Sequence, residues 1–173
     1  MAIALLEERE ECRIGHTGTV LVIVWFTEPT VPALERFETH HRALAAKFGK
    51  ITLVSILQGG LKPPGPEVRA RIDQYTPELQ KQRHGMIAVM LATGLAAIFI
   101  RSFLAALALV STEHMRVAKT LEAAAAEVHR MPGQDEVTRA NVALASEFAI
   151  FLALPPVGQG PTGGPTSTTS APS

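Results

Sequence analysis

The fold depends on the stretch GMIAVMLATGLAAIFIRSFLAALALV, Gly85 to Val110, in which Arg101 is the one charged residue. Two structures fit so apolar a run: a membrane anchor through Met86–Val110, or a buried strand followed by a helix. Aliphatic and Phe side chains each favour insertion by about 0.3–0.6 kcal/mol, against a cost of about 2.5–3.5 kcal/mol for a central Arg. Hydropathy alone therefore leaves both structures open.

Two features of the run favour a soluble core. Thr93-Gly94 is a typical break between a strand and a helix. In the second half, small residues and the single charge fall on one line of a helix. That line consists of Ala97, Arg101, Ala105 and Ala108. Such a one-sided pattern is typical of a helix packed on a sheet, so we predict a soluble domain.

The sequence on both sides of this run continues with predicted strands. CRIGHTGTVLVIVWF is expected to form two strands around a turn at His16-Thr17-Gly18, and the second strand is apolar enough to be buried on both faces. Ile51–Leu57 is another buried β-branched run, and HMRVAK is a short strand.

Helices are predicted between these strands. Thr30 and Thr120 are N-cap candidates before amphipathic segments. A further helix begins at Pro66, and Pro77 is expected to kink or split it near Thr76. Alternating strands and helices predict βαβ units. The predicted fold class is therefore α/β, with a four- to five-stranded, mostly parallel sheet and packed helices.

The predicted organisation has four regions. Beyond the last predicted strand–helix unit, one more helix is expected to place four apolar residues on one side: Val137, Leu144, Phe148 and Phe151. After it the chain is rich in Pro, Gly, Ser and Thr, which predicts disorder. The regions are an N-terminal segment (1–11), the α/β domain (12–131), a region with the extra helix (132–154) and a disordered tail (155–173).

Composition excludes several classes of function. The 173 residues contain 16 Lys+Arg and 16 Asp+Glu, for a net charge of +0, so no global field attracts nucleic acid. The sole cysteine, Cys12, permits neither an internal disulfide nor a cysteine-based metal cage. The start MAIALLEEREECR lacks the basic and long apolar regions of a secretory signal, which predicts a cytoplasmic protein. No cofactor is predicted.

The stretch from Cys12 to Arg130 resembles small STAS-like domains, the fold of anti-sigma-factor antagonists and their single-domain relatives. The element order carries the likeness, together with the hairpin into GTVLVIVWF, the helix-to-strand passage HHRALAAKFGKITLVSIL and the strand-to-helix passage MRVAKTLEAAAAEV. The resemblance implies a STAS-like fold and a protein that works by binding. Its relatives act in partner switching or regulatory docking, and some bind a nucleotide or a lipid.

The chain departs from the phosphorylatable STAS domains, which carry an Asp-Ser-(Ser/Thr)-Gly motif after the central strand. At that place this chain reads LQGGLKPPGPEV, without a hydroxyl residue, and Ser55 lies inside the predicted strand. A phosphorylation switch of that kind is therefore not predicted.

Open α/β sheets bind ligands beyond the carboxyl ends of their parallel strands, so this is where a ligand of the domain is expected. The candidate ligand loop comprises Gly59, Gly60, Lys62, Thr93 and Gly94. Lys62 is placed to meet an anion, but the prolines around it remove amide donors, so a rigid surface turn is the favoured interpretation.

Catalytic side chains do not form a recognisable set in this sequence. His40 and His41 are adjacent on a helix and point about 100° apart, so they do not chelate together. His41 is predicted to be a core histidine, and Cys12 a buried structural thiol. We therefore do not predict an enzyme.

The remaining candidate site is an interface. The line of Ala97, Arg101, Ala105 and Ala108 and the helix of Phe148 and Phe151 suggest flat faces for helix packing. The sequence thus predicts a non-catalytic cytoplasmic interaction module that docks a protein partner or self-associates. The alternatives are a membrane-associated protein anchored through Met86–Val110, and a binder of a small ligand or lipid through the loops after the strands.

Overall fold

The computed structural model describes residues 2–58, 62, 64–91 and 115–155. Within these ranges the chain forms one sheet with helices packed on both faces. The strands are β1 (Ala4–Glu8), β2 (Cys12–Thr17), β3 (Val20–Trp25), β4 (Ile51–Leu57), β5 (Arg83–Met90) and β6 (Met115–Ala118). The helices are α1 (Val31–Phe48), α2 (Pro66–Lys81), α3 (Leu121–Arg130), α4 (Glu136–Arg139) and α5 (Leu144–Ala153).

The six strands lie in the sheet in the order of the sequence, from β1 at one edge to β6 at the other. The first three pair antiparallel, and β3 to β6 pair parallel. The α/β class with a mostly parallel sheet is confirmed, but the predicted four or five strands are six. The additional strand is β1, from the region 1–11 that was expected to lie outside the domain. As an edge strand it is largely exposed, so its sequence lacks the apolar alternation of a buried strand.

Two cores lie on opposite faces of the sheet, because successive side chains of a strand point to opposite faces. In β3 all six residues are buried, as its apolar sequence predicted. Its odd-numbered residues pack under α1 and α2, with partners that include Phe37, Leu53 and Leu79. Its even-numbered residues pack under α3 and α5, with partners that include Val54 and Val128. We call the two faces the α1–α2 side and the α5 side.

The predicted N-caps are confirmed. The hydroxyl of Thr30 accepts a hydrogen bond from the backbone N–H of Ala33 at the start of α1, and Thr120 caps α3 in the same way through Ala123. Gly49 ends α1 with a φ of 83°, a left-handed conformation that favours glycine.

Helix α2 runs from Pro66 to Lys81 as one helix, so of the kink or split predicted near Thr76 the split is wrong. The Pro77 ring removes one amide donor, which would have bonded to the carbonyl of Asp73. Both residues are exposed, so water can satisfy that carbonyl. One residue earlier, the Thr76 hydroxyl donates to the carbonyl of Ile72 at 2.6 Å.

The apolar run that opened the sequence analysis begins in β5. Met86–Met90 pairs in parallel with β4 on one side and with β6 on the other. The residues from 92 to 110 lie outside the described part. Across the described ranges, the structure contains no helix long and apolar enough to cross a membrane.

Candidate interaction surface

The last helix, α5, belongs to the core of the domain. Leu144, Phe148 and Phe151 are buried against the sheet, together with residues of α3. The predicted interface at Phe148 and Phe151 needs exposed rings, and these are 0% and 1% exposed, so the structure corrects that placement. Val137, predicted on the same side as these rings, lies on the short helix α4 and faces solvent. The outer face of α5 is therefore formed by other residues.

Gly15 in β2 makes room for α5. A Cβ atom at this position would lie 2.6 Å from the Phe151 ring and 2.8 Å from the backbone oxygen of Ala4. Any larger residue would push the ring off the sheet, because the Ala4 oxygen belongs to a paired strand and cannot move freely. Glycine at this position thus sets how closely α5 approaches β2.

Arg13 holds the carboxyl end of α5. Its side chain is 1% exposed, and its two terminal nitrogens donate to the carbonyl oxygens of Phe151 at 2.6 Å and Leu154 at 2.7 Å. The carboxylate of Glu8 accepts from the same guanidinium at 2.9 and 3.2 Å. The last carbonyls of a helix have no intrahelical donor and carry partial negative charge, so a buried cation satisfies both needs. Strands β1 and β2 therefore clasp the end of the helix.

A second polar cluster fixes the loop before α4 to the first residues of the parallel strands. Thr52 donates through its hydroxyl to Gln134 Oε1 at 2.5 Å, and Gln134 Nε2 donates to the hydroxyl of Thr19 at 2.6 Å. The Thr19 hydroxyl donates to the carboxylate of Asp135, which also accepts from the Thr138 N–H at 2.8 Å. Burial alone would raise the pKa of Asp135, but these hydrogen bonds outweigh it and lower the pKa to about 2. A carboxylate so bonded is an anchor for α4.

The outer surface of residues 140–155 carries no charge. Glu147 is the one charged residue of that stretch, and it is 7% exposed, with Oε1 accepting from Asn141 Nδ2 at 3.1 Å. Val142 and Ile150, by contrast, are 94% and 65% exposed. In an ordinary surface helix the apolar residues face the core and the charged residues face solvent, so the arrangement here is the reverse. The exposed residues, which we call the C-terminal face, are Ala140, Val142, Ala143, Ser146, Ala149, Ile150, Ala153, Leu154 and Pro155.

A depression of about 460 Å³ adjoins the C-terminal face. It is lined by Glu136, Val137, Ala140 and Asn141. The surface near α5 thus combines projecting apolar side chains, a strip of small residues along the helix and a recess beside them.

The acid–base groups with the largest pKa changes lie in the core of the α1–α2 side. Nε2 of His41 accepts a hydrogen bond from Nε of Arg83 at 2.9 Å. Burial, together with the charges of Arg83 and Arg42, lowers the pKa of His41 to about 3. Burial likewise raises the pKa of the Cys12 thiol to about 11. Both residues are core residues, as predicted. Neither group is placed to react with a ligand in solvent.

The predicted ligand loop is described at one residue. Lys62 is exposed, and its Nζ lies 3.7 Å from the carboxylate of Glu28. The other loop residues, Gly59, Gly60, Thr93 and Gly94, lie outside the described residues, as do the interface residues Ala97, Arg101, Ala105 and Ala108. In the described ranges, no group of three or more His, Cys, Asp or Glu residues could hold a metal ion.

Sequence reasoning missed the residues that position α5. For Asp135 a signal was present, since an Asp before the segment EVTR is a typical N-cap. For Arg13 no local signal exists, because its carbonyl partners lie 138 and 141 residues further along the chain. The sequence shows that residues 140–155 contain one charged residue, Glu147. It does not show which side of the helix faces the core.

Comparison of the chain with protein-family models, with curated proteins and with solved structures found no match. The C-terminal face is therefore interpreted from its own chemistry.

Proposed function

We propose that this chain is a non-catalytic interaction module, STAS-like in fold and cytoplasmic, that docks to another protein surface through the C-terminal face. One observation carries the proposal: between residues 140 and 155 the single carboxylate, Glu147, is buried while Val142 and Ile150 are exposed. Exposed apolar patches rimmed by polar residues are typical of protein interaction sites. The STAS-like assignment is supported by the three sequence patterns, which fall on the β2–β3 hairpin, on α1 with β4, and on β6 with α3.

The chemistry of the face favours a protein partner over a lipid surface. Binding to an anionic bilayer gains about 1 kcal/mol for each nearby Lys or Arg, and residues 140–155 contain none. Nucleic acid is disfavoured for the same reason. A partner that buries Ile150 and Val142 needs apolar side chains of its own and no charge at the centre.

Ala149→Glu tests this function, because Ala149 is exposed near the middle of α5 and a glutamate there places a charge in the contact. Ala46→Glu is the matched control, since Ala46 is also an exposed helical alanine, on α1. The size of the tagged full-length chain is measured by size-exclusion chromatography in extract of its native cells. We expect a mass above the monomer for the unaltered chain and for Ala46→Glu, and the monomer mass for Ala149→Glu. A monomer mass for the unaltered chain, or equal masses for both variants, contradicts the proposal.

A further inference from the structure

We infer that the occupant of the C-terminal face is a second copy of this chain, docked about a two-fold axis that passes near Ala149. The inference rests on the proposed function, since it names the partner of the same surface. Three properties of the face lead to it, and a pair of cysteine variants tests it.

The first property is charge. A second copy brings a face as free of charge as the first, so no ionised group of the two faces themselves loses its hydration when they meet; the one carboxylate beside them is Glu136, in the lining of the depression. The whole chain has a net charge of +0, which removes long-range repulsion between copies at neutral pH. A different partner would need its own charge-free surface, whereas a second copy necessarily has one.

The second property is shape. In a two-fold contact each copy presents the same patch, so that patch must contain both projections and recesses. The C-terminal face has both: Val142 is 94% exposed, and the depression lined by Val137 and Ala140 adjoins it. Between them, Ser146, Ala149 and Ala153 follow one another at steps of three and four residues along α5. Such small side chains let two helices approach to about 8 Å, the short end of the usual range.

The third property is the composition of the chain that follows α5. Residues 156–173 begin where the face ends, and they are the segment of this chain nearest to it in sequence. They read PVGQGPTGGPTSTTSAPS, with Val157 and Ala171 as the hydrophobic residues. This composition offers little apolar area against Val142 and Ile150, which favours another molecule over these residues as the occupant of the face.

The size of the C-terminal face sets the affinity that we expect for the dimer. A ten-residue helix is about 15 Å long and about 10 Å across, so the contact is smaller than the ~800 Å² per partner of a standard interface. We therefore expect a dimer that equilibrates at micromolar concentrations. Sedimentation equilibrium of the purified full-length chain is the first measurement. Its mass should rise from the monomer value of 18.5 kDa toward twice that value. Ala149→Glu should raise the dissociation constant at least tenfold, and Ala46→Glu should leave it unchanged.

A cross-linking experiment tests the geometry separately. Cys12 is the sole cysteine and is buried, so a new surface thiol has no competitor within the chain. Near a two-fold axis at Ala149, the thiols of two Ala149→Cys chains lie within reach of each other. Under mild oxidation, two thiols lose two protons and two electrons to dissolved oxygen and form one disulfide. We expect a covalent dimer from Ala149→Cys and monomer from Ala46→Cys.

The outcomes separate the two proposals. A chain that stays monomeric when purified, with no preferential cross-link at position 149, overturns the second copy as occupant. If the complex in cell extract is still lost in Ala149→Glu, the face nevertheless docks a different protein. If the extract also shows a monomer, both proposals fail. A disulfide that forms equally in Ala149→Cys and Ala46→Cys reports random collision, and it also overturns the two-fold arrangement.

Discussion

Helices α1 and α5 lie on opposite faces of the sheet, and both bury apolar side chains but present different surfaces to solvent. On the α1–α2 side, the surface charges are paired: the carboxylate of Glu38 contacts Arg42 at 2.8 Å and Arg71 at 2.7 Å, which joins α1 to α2. Nearby, Glu7 on β1 contacts His40 on α1 at 2.8 Å. Arg83, by contrast, is buried on this side.

On the α5 side, the one charged residue of α5, Glu147, is buried, as is Arg13 of β2, and the C-terminal face carries no charge. The neighbouring helix α3 keeps exposed pairs, such as Arg130 with Glu127 at 2.9 Å.

This contrast shows where each layer obtains its stability. The α1–α2 layer is held mainly by apolar packing, and its surface ion pairs contribute little, because solvent screens them. Helix α5 is shorter and is held by hydrogen bonds to Arg13 as well as by Phe148 and Phe151, while Gln134 fixes the loop before α4. Buried polar contacts fix its position and leave the outer surface free to be apolar. A layer so fixed is a rigid platform for a partner.

The largest effect is expected from Arg13→Met. Removing the guanidinium takes away the hydrogen bonds that Arg13 donates to the Glu8 carboxylate and to the last carbonyls of α5, and breaking a buried charged pair costs about 3–5 kcal/mol. Urea denaturation of the full-length chain measures the free energy of unfolding. A loss below about 1 kcal/mol would mean that apolar packing alone holds α5, as it holds the opposite layer.

Gly15→Ala should have the next largest effect. The added methyl group would lie 2.6 Å from the Phe151 ring, and overpacking of this kind costs about 1–3 kcal/mol. Gly65→Ala is the control, because a Cβ at Gly65 meets no atom within 4 Å. The same denaturation experiment compares the two variants. Equal stabilities would show that α5 can shift on β2 without cost.

Acid should destabilise the two sides in different pH ranges. The pKa of His41 is lowered from its ordinary value of 6.5 to about 3, so the unfolded chain binds a proton that the folded chain does not. Stability is therefore lost as the pH falls below about 6.5. The pKa of Asp135 is lowered from 3.8 to about 2, so its contribution is lost only as the pH falls below about 4. Each group contributes a slope of up to ~1.4 kcal/mol per pH unit.

Two variants separate these ranges in urea denaturation between pH 7 and pH 2.5. In His41→Gln, the free energy of unfolding should depend less on pH in the upper range. A residual dependence comes from His84, whose pKa is also lowered by burial. Asp135→Asn should flatten the lower range alone. If the free energy of unfolding changed with pH in the same way in both variants, the assignment of His41 to the upper range and Asp135 to the lower range would be contradicted.

The smallest effect is expected from Arg42→Met. The side chain pairs with Glu38 four residues earlier on an exposed helix face, and such pairs contribute about 0.3–0.5 kcal/mol. Arg71 remains to pair with Glu38. Urea denaturation in low and high salt measures the change, which should vanish at high salt. A loss as large as that of Arg13→Met would remove the contrast between the two sides.

Most of the fold could be predicted from the sequence, because strands, helix caps and burial depend on residues that are close together in the chain. Strand β4 was predicted at its observed bounds, Thr30 and Thr120 cap their helices, and the burial of β3 on both faces follows from its unbroken apolar run. Strand β1 was missed because an exposed edge strand needs no alternation. Pro77 was expected to split α2, but an exposed proline costs the helix one hydrogen bond that water replaces.

The candidate site was less predictable for a different reason. Which side of α5 faces the sheet depends on Gly15 and Arg13, which contact it across more than 130 residues of chain. Helical periodicity places Phe148 and Phe151 on one face, but an apolar face can meet the core or a partner. Because the Phe151 ring packs against Gly15 and Phe148 is buried in the same core, the outer surface of α5 is left to alanine, serine and isoleucine.

The order of the strands has a consequence for synthesis of the chain on the ribosome. Each strand from β2 to β6 pairs with the one made just before it, so the sheet can extend by one strand at a time as the nascent chain emerges. The carbonyls that Arg13 requires are translated after all six of the described strands, near residues 151–154. Until then the first hairpin holds a cation with part of its hydrogen-bonding capacity unused. Synthesis of α5 is thus the step that completes the hydrogen bonds of Arg13 and covers the α5 side of the sheet.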